Sequence, residues 1–278
     1  MPDHTLFLVV FLCQVLLVSL YLPWKILAHI THVLETHPPA DYPRLYPRPV
    51  EHYARSRRRF WMLSLTVLAV GLALLAWLGV MPESRDWAGP IALVYFLLQL
   101  APIGLLDWSQ LREARLMRER SAVRRASLER RRLRDLVPPG MLGAALITYA
   151  GFVLLIAWLR QFDYPWFGGW WNVVVITIGN LILCAIAVKQ INRPRRNPHE
   201  APADRKARTR VLVTAMLLTS IAATVFVSLH IGLAAFDQRG LQPAAQSVYF
   251  QLLAVITSQI YLVRAADYDA YREDPATV

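Results

Sequence analysis

Gln251 and Ser258 stand seven residues apart in "AAQSVYFQLLAVITSQIYLV", two helical turns that put both on one face. Gln259 follows them, Gln99 lies in "YFLLQLAP" and Asn180 in "ITIGNLILC". These are uncharged polar side chains set inside long apolar runs, and their chemistry is hydrogen bonding. Placed together they would line a path for a polar solute; placed apart they join one helix to the next. Ser220, Thr224 and Ser228, spaced i, i+4, i+8, add a stripe of small hydroxyls of the same kind. His230, in "VFVSLHIGLAAFD", brings an imidazole into such a run, suited to proton relay or ligation. Ligation needs partners at the same depth, and His4 is the one other histidine near that end. No metal or other cofactor is therefore expected.

A second set of chemically capable residues flanks the runs. Asp107 follows Pro102 in "QLAPIGLLDW" and is placed to meet a loop arginine, while Tyr42 and Tyr46 belong to "HPPADYPRLYPRPVEHY" (37 to 53). With His29, His32, Asp41 and His52, Asp107 would supply the groups of a membrane enzyme acting on lipid-linked or phosphate-bearing substrates, since nearby arginines match phosphate. Yet GxSxG, HExxH and phosphate-loop patterns are missing, as are paired carboxylates inside the apolar runs. No catalytic residue is assigned and a non-enzyme is expected. The last run also lacks the lysine that a retinal Schiff base would require.

The elements that must position these residues follow from hydropathy. The 278 residues are 56% hydrophobic with mean hydropathy +0.36 and a net charge of +11, against about 45–50% apolar in an ordinary soluble domain. The apolar residues gather in seven runs, near 5–30, 60–81, 87–106, 141–159, 170–188, 211–236 and 244–263. Each approaches the roughly 18 to 20 residues that cross a hydrocarbon core of about 30 Å. "LSLTVLAVGLALLAWLGV" is apolar on every face, which an amphipathic soluble helix is not. The expected fold is all-α: a single membrane-embedded domain over 1–278, span one followed by three helical hairpins.

Charge sets the orientation. Of 30 Lys and Arg, all but Arg85, Arg160 and Arg239 fall on one side of this map, and basic residues stay on the cytoplasmic side. The expectation is N-out and C-in, in a bacterial inner (plasma) membrane. "MPDHT" carries no Lys or Arg, so the first run reads as a retained span and not a cleaved signal. The nine tryptophans fall near run ends, at headgroup level. Arginines flanking spans, without a nucleic-acid-binding motif, exclude nucleic acid as the expected partner. Anionic headgroups, attracted by about 1 kcal/mol per basic residue near the surface, take its place, along with a possible membrane-protein partner.

Between the runs, 108–140 reads as a basic cytoplasmic linker, helical from Trp108 and stopped at Pro138-Pro139-Gly140. The stretch 192–210 holds three prolines and reads as irregular. Five prolines make 37–53 an extended brace between spans one and two, with docking as its other use. The C-terminal "ADYDAYR" (266–272) echoes its "ADYPRLY" (40–46). An accessory or interaction subunit, or a small solute carrier, is the functional expectation. The lipid-side enzyme is its alternative, and a seven-span receptor ranks last.

Overall fold

Pro23, which lacks an N–H, stands where the first long helix changes its winding. In the computed structural model, α1 (Pro2–Leu16) passes through a π-helical segment, Leu17–Tyr21, into α2 (Leu22–Thr36). The three pieces form one rod. An interruption at Pro23 is expected because proline breaks the i→i−4 ladder; here it takes the form of one wider turn just before the proline. The structure describes residues 2–81, 87–120, 136–192, 201–263 and 268–272.

The remaining helices are α3 (Val50–Val80), α4 (Ala88–Arg120), α5 (Pro139–Leu159), α6 (Trp170–Asn192), α7 (Pro202–Ala235) and α8 (Gln242–Ser258). No strand occurs among the described residues. Among the described residues, six helical rods are long and apolar enough to cross a membrane by length and composition, the first running through α1 and α2 and the others being α3 to α7. This is an α-helical membrane protein. The seventh apolar run folds as α8, about 26 Å long at 1.5 Å per residue, and is prolonged by the 3-10 turn Gln259–Tyr261. At 33 residues, α4 is about 50 Å long. The linker expected to start as a helix at Trp108 does so, continuing α4 to Arg120; 121–135 lie outside the described residues. The irregular reading of 192–210 gives way at Pro202, where α7 begins. Proline costs nothing in a helix's first turn, whose N–H groups have no intrahelical acceptor.

Two groups of helices emerge. Phe7, Phe11, Val15 and Val18 of the first rod pack with Val67 of α3, Tyr95 and Phe96 of α4, and Phe250 and Ala254 of α8. The second group has its own cores: Phe152, Ile156 and Leu159 of α5 against Ile231 of α7, and Leu136 and Val137 against Ala187, Ile191 and Val213. α7 and α8 bridge the groups through the stacked rings of Phe226 and Tyr249, 4.4 Å apart. α3 packs on α4 and α7 on α8 as hairpins, whereas α5 and α6 touch each other lightly and both lean on α7. One end of the bundle gathers the start of α1 with the α7–α8 turn: Gly240 has no space for a side chain beside Asp3, and His4 Nε2 sits 3.2 Å from Leu78 O. The opposite, basic end gathers the 37–49 loop, the far half of α4, the start of α7 and residues 268–272.

Candidate functional site

The buried polar residues of the first group form one continuous relay. Ser247 Oγ of α8 donates to Gln14 Oε1 (2.6 Å), Gln14 Nε2 donates to Gln99 Oε1 (2.9 Å), and Gln99 Nε2 donates to Ser19 Oγ (2.9 Å). Ser19 Oγ lies 2.9 Å from Tyr95 Oη, which itself donates to Val67 O at 3.1 Å. Since Tyr95 spends its hydrogen on Val67, Ser19 is the donor to Tyr95. All donors then point one way, from α8 through α1 and α4 to α3, an order in which each bond polarises the next. Gln14 and Ser247 are fully buried; Ser19, Tyr95 and Gln99 nearly so. The second hydrogen of Gln99 Nε2 reaches Gln14 O at 3.4 Å, and Gln251 Nε2 donates to Val10 O at 3.0 Å. In hydrocarbon an unmatched amide is expensive, and here the amides satisfy one another.

Asn180 belongs to a separate junction. Its Oδ1 accepts from Ser220 Oγ at 2.7 Å and its Nδ2 donates to Thr224 Oγ1 at 3.4 Å, tying α6 to α7. Ser258 Oγ donates to its own helix at Val255 O (2.8 Å), and exposed Gln259 does the same at 3.4 Å. The six residues named as a path are thus distributed: Gln99 and Gln251 meet at α1, Asn180 lies at α6–α7, and Ser258 and Gln259 close on α8. His230 lines a cavity of about 300 Å³ at the N-terminal end with Trp166, Asn172, Arg239 and Gln242. Gln242 Nε2 donates to its carbonyl at 3.0 Å, while its buried Nδ1 has no hydrogen-bond partner among the described residues.

Gln14, Ser19, Tyr95 and Ser247 were not singled out from sequence. Gln14 had a signal: it is a lone amide in the middle of the first apolar run, "FLVVFLCQVLLVSLY".

At the basic end, the proline-rich loop and the C-terminal segment are tied together. The ring of His37 stacks on Tyr268 (3.8 Å between centroids) and meets Tyr42 edge-on at 4.9 Å. Arg272 donates to Tyr42 Oη at 2.9 Å and lies over its ring at 5.1 Å. Tyr46 donates to His37 O at 2.8 Å. Burial, with Tyr268 adding to it, pushes the Tyr46 phenol up to about 12. Tyr42 and Tyr271 are buried, and the loop meets 268–272 as a clasp. It is not the extended brace expected of 37–53, because Asp41 N–H bonds Pro38 O (3.1 Å), Tyr46 N–H bonds Pro43 O (3.3 Å), and 50–53 already belong to α3. Asp107 is exposed.

Above this clasp lies a cavity of about 370 Å³. Its lining takes Leu27, Ile30, Val33 and Leu34 from α2 together with Phe60 and Leu106, and the polar side chains Arg57, Glu113, Arg208, Tyr46 and Tyr53. Arg57 Nη1 is fixed by a 3.1 Å bond to Thr31 Oγ1. His29 also lines it. The lining combines aliphatic side chains with guanidinium groups, which suits binding of an anion that carries an apolar part.

No protein-family model matches the chain, nor does any curated protein or solved structure.

Proposed function

We propose that this chain is a seven-span integral protein of a cell inner membrane, N-terminus outside and C-terminus inside, acting as a non-enzymatic accessory or interaction subunit. The closed relay from Ser247 to Val67 carries this reading. A carrier needs intramembrane polar groups for its solute, and those of the α1–α3–α4–α8 group are engaged with one another. The relay is a joint. The concentration of arginines at one end supports the orientation, and α8 with its 3-10 extension serves as the seventh span.

Two experiments test it. Reporter fusions should place residue 1 outside and the C-terminus inside; both termini on one side would refute the topology. Purification in mild detergent with mass spectrometry should recover a stoichiometric membrane-protein partner. A lone protein that moves solute in proteoliposomes, with transport lost in Gln251→Ala, would make it a carrier instead.

One observation favours the enzyme reading: His29 lines the basic-end cavity beside Arg57 and Glu113. His32, Asp41, His52 and Asp107 do not line it, which leaves His29 without the other proposed groups. An unchanged lipid-turnover phenotype in His29→Ala would remove this reading.

A further inference from the structure

We infer that the basic-end cavity is a binding site for a phosphate-bearing amphiphile: a single phosphate ester held at Arg57 and Arg208, with its apolar chain against the aliphatic side chains of α2, Phe60 and Leu106. The inference rests on the membrane placement proposed above but goes beyond it, since an accessory subunit need bind no small ligand.

Four observations carry it. The volume, about 370 Å³, falls within the roughly 300–1,000 Å³ of small-ligand sites. The lining joins Leu27, Ile30, Val33 and Leu34, on consecutive turns of α2, to arginines from α3 and α7 that supply the charge. Guanidinium is the side chain best shaped for phosphate, because its planar fork offers paired donors and stays charged at any physiological pH. Arg57 is held in place by Thr31, so its guanidinium is already positioned before a ligand arrives, which reduces the ordering that binding requires. Glu113 in the same lining opposes accumulation of anions, so the site is written for one phosphate and not a polyanion. The cavity also lies at the end where the apolar rods give way to arginines, the depth of phospholipid headgroups. The ligand's source is therefore either a bilayer lipid or a soluble amphiphile of the same chemistry.

The test uses the full chain in phosphatidylcholine nanodiscs, with empty discs as the partition control, and native mass spectrometry as readout. Dodecyl phosphate should bind at one per chain, whereas inorganic phosphate alone and dodecanol alone should not displace it. Arg57→Gln should weaken binding at least tenfold. Val33→Trp, which fills the apolar compartment and leaves both arginines in place, should do the same. Size-exclusion profiles matching the parent protein would establish that both variants are folded, and binding is scored on those that are. Phosphatidate doped into the disc that displaces the probe identifies a bilayer lipid as occupant; no displacement identifies a soluble one. Unchanged binding in both variants, or equal competition by inorganic phosphate, would overturn the inference. Either result leaves the accessory-subunit reading standing, because that reading is decided by the co-purified partner.

Discussion

The backbone of Gly71 lies directly against the hydroxyl of Tyr95, with no space between them for a methyl group. That hydroxyl is the last donor of the relay, to Val67 O. The closeness of α3 to α4 and the end of the hydrogen-bond chain therefore depend on the same absent side chain. Gly71→Ala must push the Tyr95 ring aside, and overpacking of this kind costs about 1–3 kcal/mol. Gly79→Ala and Gly104→Ala, where nothing stands within 4 Å, are the controls. Thermal unfolding in detergent should show a clear drop for the first and little change for the other two.

Gln14 and Gln99 should behave as a coupled pair. Either one replaced by Leu strands its buried partners, at about 1–3 kcal/mol, while replacing both leaves two apolar groups facing each other. The double variant should lose less than the sum of the singles, by about 0.6–1.7 kcal/mol, the range of interhelical bonds in membranes. A double-mutant cycle from unfolding in mixed micelles measures this; strict additivity would mean the 2.9 Å contact contributes nothing.

Tyr42→Phe removes the acceptor of Arg272 but keeps the ring against His37. Hydrogen exchange at 268–272 should speed up several-fold while exchange in α1 stays as it was. Tyr42→Ala removes both contacts and should free the segment further, since the edge-on packing against His37, which stacks on Tyr268, is lost with the ring.

Tyr46 gives the clasp an alkaline limit. A phenol whose folded pKa is raised, here from about 10 to about 12, favours the folded state fully below pH 10. That contribution is lost as pH rises from 10 through 12, because the unfolded chain gives up its proton first. Tyr46→Phe cannot ionise, so its stability should fall less steeply across that window than the parent protein's, as read by unfolding at a series of pH values.

Hydropathy made the helices legible because each apolar run is long and uniform; α6 (Trp170–Asn192) covers the run at 170–188, while α3 (Val50–Val80) covers the run from 60 and begins ten residues before it, in polar sequence that hydropathy does not mark. It could not show that 202–210 continue α7, since proline in a first turn resembles proline in a loop until the helix start is known. Of the relay, Gln99 was visible as an amide in an apolar run. Ser19, Tyr95 and Ser247 were not, for serine and tyrosine are common in spans and acquire meaning from the rotation and depth of the neighbouring helix. The division of the polar residues into an α1–α4–α8 joint and an α6–α7 joint is likewise a property of packing, which no single run contains.

The π segment at Leu17–Tyr21 sets the phase of the first rod. One line of buried positions runs through Phe7, Phe11, Gln14, Val18, Leu22 and Ile26, with Val15, Ser19 and Pro23 buried beside it, and steps of four residues advance a regular α-helix by about 40° beyond a full turn. The three such steps from Gln14 to Ile26 would carry the stripe off its neighbours; the wider winding takes up the excess. The rod is in effect two helices with separate angular settings, one fixed by Gln99 and Ser247, the other by the cavity wall of α2. A single residue's worth of winding is what allows one uninterrupted chain to serve both ends of the bundle.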